Sequence, residues 1–297
     1  MLQQFWRKYK KLLSDYRSHV SLEPTLTSLE CCNAISKAIQ DKTPYLAARM
    51  GWLEACCIGI LLSDQMTELS LRERLELHAG VYPATAEQLA VFSDIYLEAL
   101  KAVDLLGLMK GLFEGWLVKS YAPQVMRVAL SDLEPYFYDE PWTQYLEGSK
   151  VLVIHPFEES ILKQYATARE KIFVNPKILP QFELSVIKAP QTITGNPREY
   201  DSWATTLKAS EQKIEREKFD VAILGCGAYG LPLGASIKKM GKIAIHLGGA
   251  TQLLFGIGGG RWRSNPRFQK FINDSWSAPL VKERPMNYEK IEEGAYW

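Results

Sequence analysis

The sequence lacks a surplus of charge, a disulfide framework and a membrane-length apolar run, and each absence removes a class of function. Lys and Arg total 35 against 34 Asp and Glu, a net charge of +1, so no global field draws the chain to nucleic acid. The five cysteines, Cys31, Cys32, Cys56, Cys57 and Cys226, include two adjacent pairs and no C-x-x-C spacing. That fits neither a disulfide scaffold nor a zinc site, and they read as small buried residues of a reduced cytosolic protein. No window approaches the ~18 apolar residues of a membrane span, and no signal-peptide core follows the basic start. A cytoplasmic location is expected. In "MLQQFWRKYKKLLSDYRSHV", Phe5, Trp6, Leu12, Leu13 and Tyr16 stand among Arg7, Lys8, Lys10 and Lys11. This is either a terminal helix with a solvated basic face or a peripheral contact with anionic lipid.

What is present describes a folded α/β chain. With 297 residues, of which 47% are hydrophobic and 23% charged, it can bury a sizeable core, and two domains are expected, meeting near residue 147. The first half reads as mainly helical, above all "TAEQLAVFSDIYLEALKAVDLLGLMKGLFEGWLVKSYA" with its three- and four-residue apolar spacing. One strand-turn-helix interrupts it, at "TPYLAARMGWLEACCIGILLSD". "SDLEPYFYDEPWTQYLEGSK", rich in Pro, acid and aromatics, is read as a connector. Beyond it strands and helices alternate: "KVLVIHPF", "FELSVIKA", "DVAILGCG" and "KIAIHLGG" as strands, with amphipathic stretches between. Such alternation predicts a Rossmann-like parallel sheet.

Ligands of parallel sheets sit beyond the carboxyl ends of the strands. Residues directly after the strands are therefore the site candidates: His155, Glu158 and Ser160; Gly225, Gly227, Tyr229 and Gly230; His246, Gly248, Gly249 and Gln252. The glycines in "FDVAILGCGAYGLPLG" have the spacing of a dinucleotide fingerprint. An NAD(P) site also needs an Asp or Glu at the end of the next strand, and that place holds His246. What remains is a tight turn at a helix N-terminus, which favours an anion, or glycines that only ease packing. In "HLGGATQLLFGIGGGRW", Arg261 can pair with phosphate and Trp262 offers a flat face to a sugar or base.

These stretches, with "AARMGWLEA", resemble the GT-D type glycosyltransferases, a bacterial family with a Rossmann-like layer that transfers sugar from nucleotide sugars. Arg49 and Gly51 match the family signature, and Glu54 matches the second acid of its Asp-x-Glu pair; Trp52 stands where the first acid belongs. The resemblance implies a nucleotide-sugar donor, a UDP-sugar first, and a glycan, glycoprotein or lipid-linked acceptor. Arg49 and Glu54 would be its catalytic residues. It also implies a divalent Mn or Mg ion, which the single Glu54 would have to share with Asp104 or Glu114. The segment "ELHAGVYPATAEQL" adds His78 and Tyr82 to the donor side, before a helix capped by Thr85. Two other outcomes stay open: an NAD(P)-dependent oxidoreductase, or a nucleotide- or glycan-binding protein without catalysis. Arg49 and Glu54 also have a plain alternative, pairing with each other, and His155 and His246 another, as satisfied core histidines.

Overall fold

The computed structural model describes residues 16–63, 69–193, 195–291 and 294–297. The basic N-terminal stretch up to Asp15 lies outside them. Seven strands form one all-parallel sheet in the order β3-β2-β1-β7-β6-β4-β5. They are β1 (Tyr45–Arg49), β2 (Leu105–Leu108), β3 (Met126–Ala129), β4 (Lys150–His155), β5 (Glu183–Lys188), β6 (Val221–Leu224) and β7 (Ile243–His246). The α/β expectation holds, and the four strands expected in the second half are all there.

The first half differs from its helical reading. Its apolar run around Leu105 is strand β2, and Met126–Ala129 is β3, beside the expected strand β1. Leu105, Leu106 and Leu108 are buried on both faces of the sheet, and a short run buried on all sides has the same hydrophobic pattern in strand and helix. Through β1–β7 pairing, Tyr45 to Ile243 and Ala47 to Ile245, the sheet runs unbroken across the boundary expected near residue 147.

Side-chain alternation divides the core in two. Leu46, Ala48, Leu106, Leu152, Ile154, Ala222 and Leu224 face one layer. That layer contains α2 (Trp52–Leu62), α4 (Ala86–Lys101), α5 (Glu114–Tyr121), α7 (Trp203–Glu215) and α8 (Gly230–Lys239); α3 (Leu69–Arg74) precedes α4. Ala47, Val151, Val153, Val221, Ile223, Ile243 and Ile245 face the other, built on α1 (Ser28–Asp41) and α6 (Glu158–Ile172).

Adjacent strands therefore send the chain to opposite sides. After β1 it enters α2 on one face, while after β7 Leu253, Leu254 and Phe255 pack on the other. The same reversal separates β6, which feeds α8, from β4, which feeds α6. Where neighbouring loops part in this way, a crevice opens at the carboxyl edge. All five cysteines are buried, and none forms a disulfide. No helix among the described residues is long and apolar enough to cross a membrane.

Candidate functional site

Two adjoining cavities occupy the carboxyl edge. The first, about 310 Å³, lies over the β1/β7 crevice and is lined by Arg49, Gly51, Glu54, Met109, Glu134, His246 and Arg261, among others. The second, about 150 Å³, lies over β6 and β4 and includes His155, Gly225, Tyr229, Gly248 and Gln252. Arg49, His78, Gly227, Gly249 and Tyr296 line both.

Arg49 ends β1. Its Nη2 donates to the Met109 sulfur, a weak acceptor, while its Nε is buried without a hydrogen-bond partner. No carboxylate among the described residues lies within ion-pair distance of it, so the pairing of Arg49 with Glu54 does not form. The guanidinium is seated on Gly248, which holds φ +63° and at which a Cβ would stand 2.5 Å from Nη1. Only glycine tolerates both the positive φ and the contact.

The two histidines are buried and neutral in complementary ways. His246 Nδ1 lies 3.1 Å from the Leu224 carbonyl oxygen, which requires the proton on Nδ1 and leaves Nε2 an acceptor. Its ring rests against Gly230, where any side chain would collide with it. Burial, with the Arg49 charge behind it, pushes its pKa down to about 3. His155 Nδ1 accepts from the Phe157 N–H at 3.0 Å, so Nε2 bears the proton, and burial holds this pKa down to about 3 as well. The core-histidine alternative is thus half right: each ring is anchored in the core and each lines a cavity.

Glu54 is buried on the first turn of α2, its carboxyl against Gly51, whose N–H donates to the Tyr96 hydroxyl at 3.0 Å. Trp52, 39% exposed, lines the first cavity and packs against Gly111. Gln252 is fully buried; its amide nitrogen donates to the carbonyls of Ile257 at 3.0 Å and Tyr296 at 3.1 Å, and its Oε1 has no partner. Trp262 is buried edge-on to Tyr296, and the Arg261 guanidinium sits 5.3 Å over the Tyr296 ring.

Several expected site residues lie elsewhere. Asp104 precedes β2, at the opposite edge of the sheet, where it accepts from the Leu46 N–H at 2.8 Å and pairs with Lys238 at 2.7 Å; it cannot share a metal with Glu54. Glu114 accepts from the N–H groups of Met109 at 3.0 Å and Gly111 at 3.3 Å, bracing the loop after β2. Ser160 and Glu158 open α6 but line neither cavity. The Ser160 hydroxyl donates to Glu283, whose other oxygen accepts from the Glu159 N–H at 2.8 Å. Tyr82 lies below the site, its hydroxyl against Thr206 at 2.6 Å and the Tyr200 carbonyl at 3.0 Å. Tyr229 reaches the second cavity, but its hydroxyl is bonded to Thr192 at 3.0 Å and its ring is stacked on Trp203.

Sequence reasoning missed two residues. Tyr296 lies against Gly249 and lines both cavities, with nothing local in the sequence to point there. Glu134 follows β3 and lines the first cavity, its Oε2 accepting from the Tyr136 hydroxyl at 2.9 Å. Burial pushes its pKa up to about 7 against the pull of the Tyr136 hydrogen bond, Arg267 and Arg49. Recognising β3 would have nominated Glu134 by the strand-end rule. No protein-family model, curated protein or solved structure matches the chain.

Proposed function

We propose that this chain is a glycosyltransferase, taking a sugar from a nucleotide-activated donor at the carboxyl edge of the sheet and passing it to an acceptor hydroxyl. The observation that carries this reading is Arg49: a half-buried guanidinium at the β1/β7 crevice, lining both cavities, with a buried Nε and no carboxylate among the described residues within ion-pair distance. A buried N–H donor left without an acceptor is costly, and a diphosphate would meet the planar donors of the guanidinium and remove that cost. The adjoining cavities supply room for a ligand with two parts. The likeness of "AARMGWLEA" and the two glycine segments to the GT-D type enzymes supports the same donor class, a UDP-sugar first, with a glycan or glycoconjugate acceptor.

In this reading Arg49 pairs with the diphosphate and stabilises the charge that collects there as the sugar leaves. Glu54, across the same cavity, accepts hydrogen bonds from sugar hydroxyls. His246 offers a lone pair and His155 an N–H to the bound nucleotide. The side chains present do not fit a divalent ion held by the protein. Among the described residues no three His, Cys, Asp or Glu side chains gather as ligands, Trp52 replaces the first acid, and Asp104 is tied to Lys238 at the far edge.

The test is thermal-shift titration with UDP, GDP, UDP-sugars and NAD, each with and without manganese, followed by assay of nucleoside diphosphate release. Stabilisation by a nucleotide sugar, with turnover, is the expected result. Stabilisation by NAD alone would overturn the proposal. Trp52 in place of the acid favours a second reading, a binding protein without catalysis, which predicts stabilisation with no release.

A further inference from the structure

We infer that Glu134 is the residue that takes the proton from the acceptor hydroxyl, with Tyr136 positioning it; the inference rests on the nucleotide-sugar assignment and adds the identity of the base. Glu134, just past the helical turn Leu130–Leu133 that follows β3, lines the first cavity together with Arg49 and Glu54. Tyr136 holds Oε2 at 2.9 Å, while Oε1 accepts no hydrogen bond from any described residue. One oxygen is therefore fixed and the other is left to receive a proton.

The charged and titratable groups facing Glu134 are Tyr136 on its own segment, Arg49 from β1 and Arg267 from the turn at residues 266–269. Burial outweighs all three and holds the pKa at about 7. A carboxyl in that range is substantially ionised at neutral pH yet basic enough to accept a proton in the transition state. The alternatives in the cavities are less suited. His246 and His155 are pushed down to about 3 by burial, which makes them weak bases. The Glu54 carboxyl is packed against the backbone of Gly51.

The step balances without a further reactant. A lone pair on the acceptor oxygen forms the bond to the anomeric carbon, the bond from that carbon to the diphosphate breaks with its electron pair leaving on the diphosphate, and the acceptor proton passes to Glu134. Glu134 returns it to solvent after the products leave. Water can take the acceptor's place, giving slow hydrolysis of the donor.

The experiment measures nucleoside diphosphate release from a panel of UDP- and GDP-sugars in water, from about pH 5.5 to 9, with donor binding followed in parallel by thermal shift. In the wild-type enzyme kcat should rise through about pH 7 as Glu134 ionises. Glu134→Gln should lower kcat roughly 10²- to 10⁴-fold and abolish that rise, with donor affinity nearly unchanged. Its folding can be verified separately, because replacing a half-buried charge by a neutral amide should raise Tm at pH 8. Tyr136→Phe removes a hydrogen bond that favours the ionised form, so the rise should move to higher pH with a smaller loss of rate. Glu54→Gln should raise KM and keep the pH profile. If Glu134→Gln keeps both its rate and its pH profile while donor binding persists, Glu134 is not the base. If the wild-type protein neither binds nor hydrolyses any donor, the nucleotide-sugar assignment is overturned and the base assignment with it.

Discussion

At Gly248 the backbone turns left-handed beneath the Arg49 guanidinium, and both constraints exclude a side chain. Gly248→Ala is expected to cost about 1–3 kcal/mol in urea denaturation and to weaken anion binding by displacing Arg49. The buried histidines carry a pH signature. Each has a folded pKa of about 3 against 6.5 for a free imidazole, so below pH 6.5 the unfolded chain takes up protons that the native state refuses. Stability is then complete above 6.5 and falls as pH drops toward 3, by at most about 1.4 kcal/mol per pH unit for each histidine. His155→Asn keeps an acceptor for the Phe157 N–H and removes one titration; its urea midpoint should fall less than the wild-type midpoint between about pH 7 and pH 5. His155 and His246 were nominated because each ends a strand visible in the apolar pattern, and Arg49 and Glu54 by the resemblance of "AARMGWLEA"; all four line the cavities. Glu134 was missed because a segment of Pro, acid and aromatics disguised the end of β3. Ser160 stood near the end of β4 in sequence, but periodicity does not say which way a hydroxyl turns, and Tyr82, nominated by the resemblance, lies between two helices far from any strand end.

Among the elements, α6, whose Glu158 and Ser160 were expected at the site, shows how a helix N-terminus is filled from within the chain. Glu283 brings its carboxylate to the Glu159 N–H at 2.8 Å and the Ser160 N–H at 3.3 Å, 4% exposed. Charge at that end is satisfied within the chain. Glu283→Ala should remove about 1–3 kcal/mol of stability while leaving donor affinity within twofold, which denaturation and titration on the same sample would check. The helices and strands of the second half were legible from their alternation. Strand β2 was not, since Leu105 to Leu108 are apolar at every position and lie inside a helix-like window.

In the whole molecule, β1 pairs with β2 on one side and β7 on the other, so the halves share one sheet and both cores. Neither half can bury its edge strand alone, and the chain is expected to unfold in one transition, with calorimetric and van't Hoff enthalpies in agreement; two separated transitions would show independent halves. That shared sheet also places Arg49 from the first half beside the glycine turn at Gly248 in the second, and in the proposed function this cation receives the donor's diphosphate. The direct measurement is calorimetric titration of UDP into the wild-type protein and Arg49→Met, with EDTA present. Saturable binding to the wild type is expected, with a loss of about 2 kcal/mol, roughly 30-fold, in the variant. Equal affinity in the two proteins, or no binding to either by any nucleoside diphosphate, would contradict it.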